Sequence, residues 1–310
     1  MTTLHRMPDF LVIGAGKSGT TSLDKYLDAH PSIFMSQRKD PGYFASEQYA
    51  IHPGMRPESI AYYQKFIGDE ETYLQLFVDA HENQLVGETS TIYLYSENGY
   101  DLIKKAIPSV KLIAILRQPA QRVFSRYLHL AREGLLPTND FEDIFDRTSL
   151  WWNRPDLIPE GFYFKHLSRF FDHFPHENIK VLLYEDLSKS PESLFREIFG
   201  FLEVDETFVP KTDVTYNRSG IIKNQSINKI IGYNNPLFRV TKKLFPKQYE
   251  SLRKTPAALK VLDKVRSKNL SKPKLTPELN QRIINDIYLE DIEKLEQLIS
   301  KDLSHWKSVS

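Results

Sequence analysis

Lys17 stands in the middle of a turn suited to holding an anion. The run Phe10-Leu-Val-Ile-Gly-Ala-Gly-Lys-Ser-Gly-Thr-Thr-Ser22 passes from apolar residues straight into glycines, hydroxyls and one lysine. Glycine lets a backbone close on a phosphate, the amides of a following helix terminus point at it, and the ammonium adds a full charge. The chemistry on offer is phosphate or phosphosulfate recognition, with Gly16, Lys17, Ser18, Gly19, Thr20, Thr21 and Ser22 as the binding residues. Two common nucleotide loops fail on spacing. A triphosphate loop of the G-x-x-x-x-G-K-[ST] kind needs glycine where this chain has Leu11. Gly14-Ala-Gly16-Lys-Ser-Gly19 fits the literal G-x-G-x-x-G pattern. A dinucleotide site also wants an acid closing the second strand, and here that place holds Ser36-Gln-Arg-Lys39, with Asp40 late.

A second basic position follows far along the chain. Lys111-Leu-Ile-Ala-Ile-Leu116 reads as a buried strand ending at Arg117, and Pro119 opens a helix that carries Ser125 and Arg126. Arginine at a strand end can fork two hydrogen bonds onto a phosphate, and a serine two helical turns later can offer its hydroxyl to the same anion. Taken alone, the pair is equally consistent with an arginine paired to an acidic neighbour and an ordinary helix serine. The elements that must position these residues are legible from periodicity. Strands are predicted at 10–13, 32–35, 85–87, 111–116 and 179–184, and helices at 20–29, 58–66, 70–80, 99–106, 119–133, 163–174, 191–202 and 277–300. In the last helix, Leu279, Ile283, Ile287, Ile292, Leu295 and Leu298 are expected on one broad face. Strands alternating with helices predict an α/β fold with a mostly parallel sheet and ligands at the carboxyl ends of its strands.

Taken in order, six segments resemble the sulfotransferases that use 3′-phosphoadenosine 5′-phosphosulfate (PAPS), most closely the bacterial branch related to heparan sulfate sulfotransferases. They are Gly16-Lys-Ser-Gly-Thr-Thr-Ser22, Gln37-Arg-Lys-Asp-Pro-Gly-Tyr-Phe44, Gly87-Glu-Thr-Ser-Thr-Ile-Tyr93, Leu116-Arg-Gln-Pro-Ala-Gln-Arg-Val-Phe-Ser-Arg-Tyr127, Asn217-Arg-Ser-Gly220, and Tyr288-Leu-Glu-Asp-Ile-Glu-Lys-Leu-Glu296 with Asp302-Leu-Ser-His-Trp306. The similarity covers nearly the whole chain. It implies a P-loop-like three-layer fold, a central mostly parallel sheet flanked by helices. It also implies PAPS as donor and the bisphosphate PAP as product, with no metal required. By the same resemblance the 16–22 loop holds the 5′-phosphosulfate, Arg117 and Ser125 hold the 3′-phosphate, Tyr163 lies near the cofactor, and Arg218, Ser219, Gly220 and Lys223 form a closing loop. The catalytic residues it implies are Lys17, for the leaving oxygen, and an acidic base. Asp40 aligns with the glutamate of the family's Lys-Glu-Pro-His-Phe-Phe, one methylene shorter, and Gly42 replaces the family's histidine. Glu88 is the second candidate base and His52 a third, and the choice stays open at this point.

Composition bounds the remaining possibilities. With 310 residues, 41% hydrophobic and 26% charged, the chain can bury a large core as a single domain spanning 1–310, with a basic, mainly helical subregion near 227–275. There is no cysteine, which excludes disulfides and thiolate chemistry and suits a reducing cytoplasm. Met1-Thr-Thr-Leu-His-Arg-Met-Pro8 lacks a signal-peptide core and no apolar run is long enough to span a bilayer, so a soluble cytoplasmic protein without a transmembrane segment is expected. The net charge of +1 conceals an asymmetry, because 227–274 holds thirteen Lys or Arg against Glu250 and Asp263. That segment is either a solvated basic face or a contact for a membrane surface, an acidic carrier protein or a polyanionic acceptor. Nucleic acid is not expected as a partner, since no binding motif accompanies the charge. The predicted activity is sulfuryl transfer from PAPS to a hydroxyl or amine of a small-molecule or carbohydrate acceptor. An ATP-dependent P-loop kinase and a non-catalytic nucleotide-binding module are the alternatives.

Overall fold

An uninterrupted apolar run such as Phe10–Gly14 is stable as a strand only when both of its faces are covered. In the computed structural model, which describes residues 6–46, 63–133, 135–136, 140–210, 221–222, 270–271 and 273–308, this run is β1 and every residue of it is buried. It pairs in parallel with β3 (Leu85–Thr89) on one side and β4 (Lys111–Leu116) on the other. β2 (Ile33–Met35) extends the sheet beyond β3, and β5 (Ile179–Leu183) extends it beyond β4. The resulting order β2-β3-β1-β4-β5 is wholly parallel. From β1 the chain crosses to β2 at one edge, returns to β3 beside β1, and then passes to β4 and β5 on the other side, so the direction of the connections reverses at β1. In open parallel sheets, the carboxyl ends of the strands at such a reversal form the ligand crevice.

Both faces of the sheet are covered. On one, Phe10, Val12, Ile113, Ile115 and Leu182 meet Leu23 and Leu27 of α1 (Thr20–Asp28) and Leu194, Phe195, Ile198 and Phe199 of α8 (Pro191–Leu202). Each such side chain contributes about 1.5–3 kcal/mol on burial. On the other side lie a 3-10 turn at Thr91–Tyr95, α3 (Gly99–Ala106) and α6 (Tyr163–His173), which pack on one another. Short helices α2 (Glu70–Leu74), α5 (Leu150–Asn153) and α7 (Tyr184–Lys189) join these elements. α4 (Pro119–Glu133) follows β4 after two residues. The three-layer α/β reading is therefore correct.

Several boundaries differ from the sequence reading, most by one or two residues, and three of the differences have a local reason. The 70–80 helix ends at Leu74 and tightens into a 3-10 turn, Gln75–Phe77, which keeps Tyr73 and Phe77 together in the core with ring centroids 5.3 Å apart. β5 stops one residue early because Tyr184 begins α7, whose first turn carries Glu185 and Asp186 where a helix dipole favours them. The single helix expected at 277–300 is α9 (Pro277–Ile283), a π turn (Ile284–Tyr288) and α10 (Leu289–Ile299). The wider turn rotates the buried stripe, so Ile284, Tyr288 and Asp291 are buried while Leu279, Ile287 and Leu298 are only half-buried. A final short helix, α11 (Ser304–Lys307), buries Trp306. Of the 58–66 helix, residues 58–62 lie outside the described residues.

By internal contacts the chain divides into two compact units. The first, 1–126 with 137–216 and 276–310, holds the five-stranded sheet and its layers. The second, 127–136 with 217–275, holds the end of α4 and a two-stranded antiparallel pair, β6 (Ile221–Ile222) with β7 (Leu270–Ser271).

Candidate functional site

The loop after β1 is shaped by its backbone. Ala15 N–H donates to Ile115 O (2.8 Å), which ties the loop to β4, and Ser18 N–H reaches back to Ala15 O (3.3 Å). Lys17 at φ 69° and Gly19 at φ 88° turn the chain into α1. Gly19 meets the conformational demand freely, whereas Lys17 adopts the left-handed region at a cost of about 1–2 kcal/mol. Helix α1 has no side-chain cap and no acid in its first turn. The first amides of a helix have no acceptor inside it, so the positive end of α1 is not neutralised by its own side chains. Ser18 is fully buried and its hydroxyl has no hydrogen-bond partner among the described residues. A turn with these donors fits a tetrahedral anion.

Arg117 leaves the end of β4 and points at this loop, where Nη1 donates to Lys17 O (3.3 Å) and the guanidinium stacks 4.8 Å from the centre of the Tyr184 ring. It makes no carboxylate ion pair among the described residues. Burial pulls the pKa of the guanidinium down from its ordinary value, with Tyr184 and Glu185 opposing that shift. Two other arginines show the contrast. Arg122 is fully buried with its Nη1 2.9 Å from Glu160 Oε2, and Arg126 is paired with Asp156 (3.6 Å) and Glu160 (3.7 Å). Ser125 lies buried on α4 between these two positions. Tyr163 is fully buried at the start of α6 and donates its hydroxyl to Arg117 O (2.8 Å), fixing the strand end. Tyr184 was not singled out from sequence, yet its ring flanks Gly19 so closely that an added Cβ there would lie 3.0 Å from it. The only sequence signal for it is its place as the last residue of an apolar run.

The acidic candidates meet at the ends of β2 and β3. Asp40 N–H donates to Thr89 O (2.8 Å), while Asp40 Oδ1 accepts from Thr91 N–H (3.1 Å) and Thr91 Oγ1 (3.3 Å) and Oδ2 lies 3.0 Å from Lys39 Nζ. A third of the Asp40 side chain is exposed (33%). Glu88 is fully enclosed and accepts three hydroxyls, from Tyr93 (2.6 Å), Ser90 (2.9 Å) and Tyr73 (3.2 Å). Ser90 Oγ in turn accepts from Gly42 N–H (3.0 Å), so Glu88 is linked through one serine to the turn after Asp40. Gly42 sits at φ 65° with the Phe66 ring over it, and an added Cβ would lie 2.6 Å from that ring. The histidine-to-glycine difference in this motif thus accompanies a turn that a side chain could not make.

Desolvation pushes the Glu88 carboxyl up from 4.5 to about 7, against the three hydroxyl donors that favour its ionised form. Between those two values the folded chain holds a proton on Glu88 that the unfolded chain has lost. The stability it contributes is whole below about pH 4.5 and is lost as the pH rises through about 7. Every tenfold difference in proton affinity between the folded and unfolded chain corresponds to about 1.4 kcal/mol. Urea unfolding of wild type and Glu88→Gln at pH 5 and pH 8 checks this. The variant is expected to gain about 2–3 kcal/mol relative to wild type over that interval, and a pH-independent difference would refute the burial argument.

Arg218, Ser219, Gly220, Lys223, His52 and, apart from 270–271 and 273–274, the basic 227–274 segment lie outside the described residues. Trp151 is buried against Phe141, and the half-buried Trp152 donates to Ile144 O (2.8 Å). A groove lined by Asp9, Ser109, Lys111 and Glu203 lies at the opposite, amino-terminal ends of the strands and contains none of the motif residues. Among the described residues no three or more His, Asp or Glu side chains gather as a metal site, and no helix is long and apolar enough to cross a membrane.

Comparison with known proteins agrees with this geometry. The sulfotransferase domain family matches residues 7–298. The chain is 26% identical over 327 residues to the membrane-associated sulfotransferase kil1 of Dictyostelium discoideum, covering 77% of this chain and 66% of that protein. It is 28% identical over 212 residues to the bifunctional heparan sulfate N-deacetylase/N-sulfotransferase 4 of Mus musculus, covering 65% of this chain and 23% of that one. It therefore spans less than two thirds of the length of either relative. Among solved structures, a sulfotransferase from Alicyclobacillus acidocaldarius superposes with a TM-score of 0.69 at 26% identity, over 97% of this chain and 99% of that one.

Proposed function

The chain belongs to the sulfotransferase domain family, and from that premise we propose that it transfers a sulfuryl group from PAPS to a hydroxyl or amine of a small-molecule or carbohydrate acceptor. The observation that carries the donor assignment is Arg117, a half-buried guanidinium with no carboxylate ion pair among the described residues, set against the backbone of the anion loop. A single phosphate would be served by the loop alone. A second cation beside it suits a ligand with two anionic groups, and a 3′,5′-bisphosphorylated nucleoside has them.

In this reading the 16–22 loop holds the 5′-phosphosulfate and Arg117 with Ser125 holds the 3′-phosphate. Tyr163 keeps the Arg117 backbone in place. The family resemblance assigns Arg218, Ser219, Gly220 and Lys223, which lie outside the described residues, to a loop that excludes water able to hydrolyse the donor. Bound there, the donor supplies the activated sulfuryl group, and the reaction requires no metal. Lys17 places its positive charge beside the bridging oxygen, where charge grows as the bisphosphate leaves. Asp40 takes the proton from the attacking acceptor oxygen or nitrogen. Glu88, enclosed by its three hydroxyls, supports the turn that presents Asp40.

Thermal shift and direct binding test the donor assignment. Adenosine 3′,5′-bisphosphate is expected to raise the melting temperature and ATP with magnesium to leave it unchanged, since only a ligand that binds the folded state stabilises it. Arg117→Ala is expected to weaken bisphosphate binding by at least about tenfold, because one charge-assisted contact of about 1.5–3 kcal/mol is lost. Stabilisation by ATP–magnesium alone would favour a kinase, and unchanged bisphosphate affinity in the variant would remove Arg117 from the site.

A further inference from the structure

Glu160 is a carboxylate that touches the anion loop from inside. Its Oε1 accepts the Gly16 N–H at 2.6 Å, and its Oε2 accepts Arg122 Nη1 at 2.9 Å. Neither the Glu160 nor the Arg122 side chain has any exposed surface. Arg122 is anchored further by the carbonyls of Leu157 and Asp156, and Arg126 completes the cluster by reaching both Asp156 and Glu160. One carboxylate thus ties the loop after β1 to α4, the helix on which Arg122, Ser125 and Arg126 stand. A fully buried ion pair gains little net stability over apolar packing of the same volume, whereas removing one partner is costly. What this pair supplies instead is a fixed distance.

The consequence concerns a ligand with two anionic ends. Two grips act together only if their separation matches that of the ligand, and the gain from the second grip disappears when the spacing is loose. We propose that Glu160 is a positioning residue that sets the separation between the 16–22 loop and α4, so that the loop and the Arg117–Ser125 grip engage both phosphates of one bisphosphorylated nucleoside at once. The inference rests on the bisphosphate reading above. It assigns Glu160 no contact with ligand or reacting atoms: the carboxylate acts through the Gly16 amide and the Arg122 guanidinium. Gly16 belongs to the same device, since a Cβ added there would lie 2.8 Å from Glu160 Oε1 and force the carboxylate off the amide.

The test compares a bisphosphate with a monophosphate on the full chain. Binding of adenosine 3′,5′-bisphosphate and of adenosine 5′-monophosphate is measured by calorimetry for wild type, Glu160→Gln and Glu160→Asp, with melting temperatures alongside. Glu160→Gln leaves Arg122 without its charge partner and is expected to lower the melting temperature, whereas Glu160→Asp keeps a carboxylate beside Arg122 and, one methylene shorter, withdraws it from the Gly16 amide. Both are expected to lose at least about tenfold in bisphosphate affinity while the monophosphate changes by less than about threefold, because only the coupling of two grips is removed. An equal loss for both ligands, or no loss, overturns the positioning role. Failure of both variants to fold also overturns it, since Glu160 would then serve stability alone. Failure of the wild type to bind the bisphosphate would instead refute the underlying donor reading.

Discussion

Lys17→Ala is expected to lower kcat by about 10²–10³-fold while leaving the fold intact, the loss typical of removing one preorganised donor from developing charge. The size follows from when the charge is needed. The bridging oxygen becomes more negative as sulfuryl transfer proceeds, so an ammonium beside it interacts more strongly with the transition state than with the bound donor. The fall should therefore appear mainly in kcat, with a smaller change in donor KM. The backbone supports the same conclusion from a different direction. Lys17 holds φ 69°, a region that costs an L-residue about 1–2 kcal/mol, so lysine is not there for the benefit of the turn. Lys17→Gly relieves that strain and is expected to melt no lower than wild type while being as inactive as the alanine variant. Single-turnover rates with saturating donor, paired with thermal melts, check both statements. A kcat within tenfold of wild type would remove Lys17 from the chemistry.

What could be read beforehand and what could not divides along a physical line. β1, β4, α3, α4 and α8 follow from runs whose periodicity and prolines leave little choice, and all but β1 have the predicted ends. The anion loop followed because glycines, hydroxyls and lysine after an apolar strand are a local signal. Long-range pairings were not legible. Nothing in the residues around Glu160 announces that its carboxylate meets an amide 144 positions away, and nothing around Tyr184 announces that Arg117 stacks on it. Local composition also gave no sign that 284–288 widens into a π turn, which shifted the buried stripe away from Ile287 and Leu298. The choice between Asp40 and Glu88 needed burial and hydrogen-bond partners, and these depend on Tyr73, Ser90 and Tyr93 folding around one of the two carboxylates.

Asp40→Asn is expected to lower kcat/KM for the acceptor by about 10²–10⁴-fold, the contribution of a positioned general base, with bisphosphate affinity unchanged. The substitution isolates the proton transfer. Asp40 lies at φ 55°, a conformation that asparagine tolerates better than most residues, and Asn Oδ1 can keep both hydrogen bonds from Thr91. The turn therefore survives, and what is lost is the basic oxygen with its contact to Lys39. Glu88→Gln is the matched control. Both Glu88 oxygens are already occupied by hydroxyls and none of the side chain is exposed, so it has no open path to an acceptor. Its amide variant should lose less than about tenfold, through loosening of the Ser90–Gly42 link that steadies the Asp40 turn. Asp40→Glu, which restores the chain length of the corresponding family residue, should retain measurable turnover because the carboxylate persists. If Glu88→Gln were the more damaged variant, the base would be Glu88. The raised pKa that now reads as a cost of burial would then be the poise of a group that holds a proton near neutral pH.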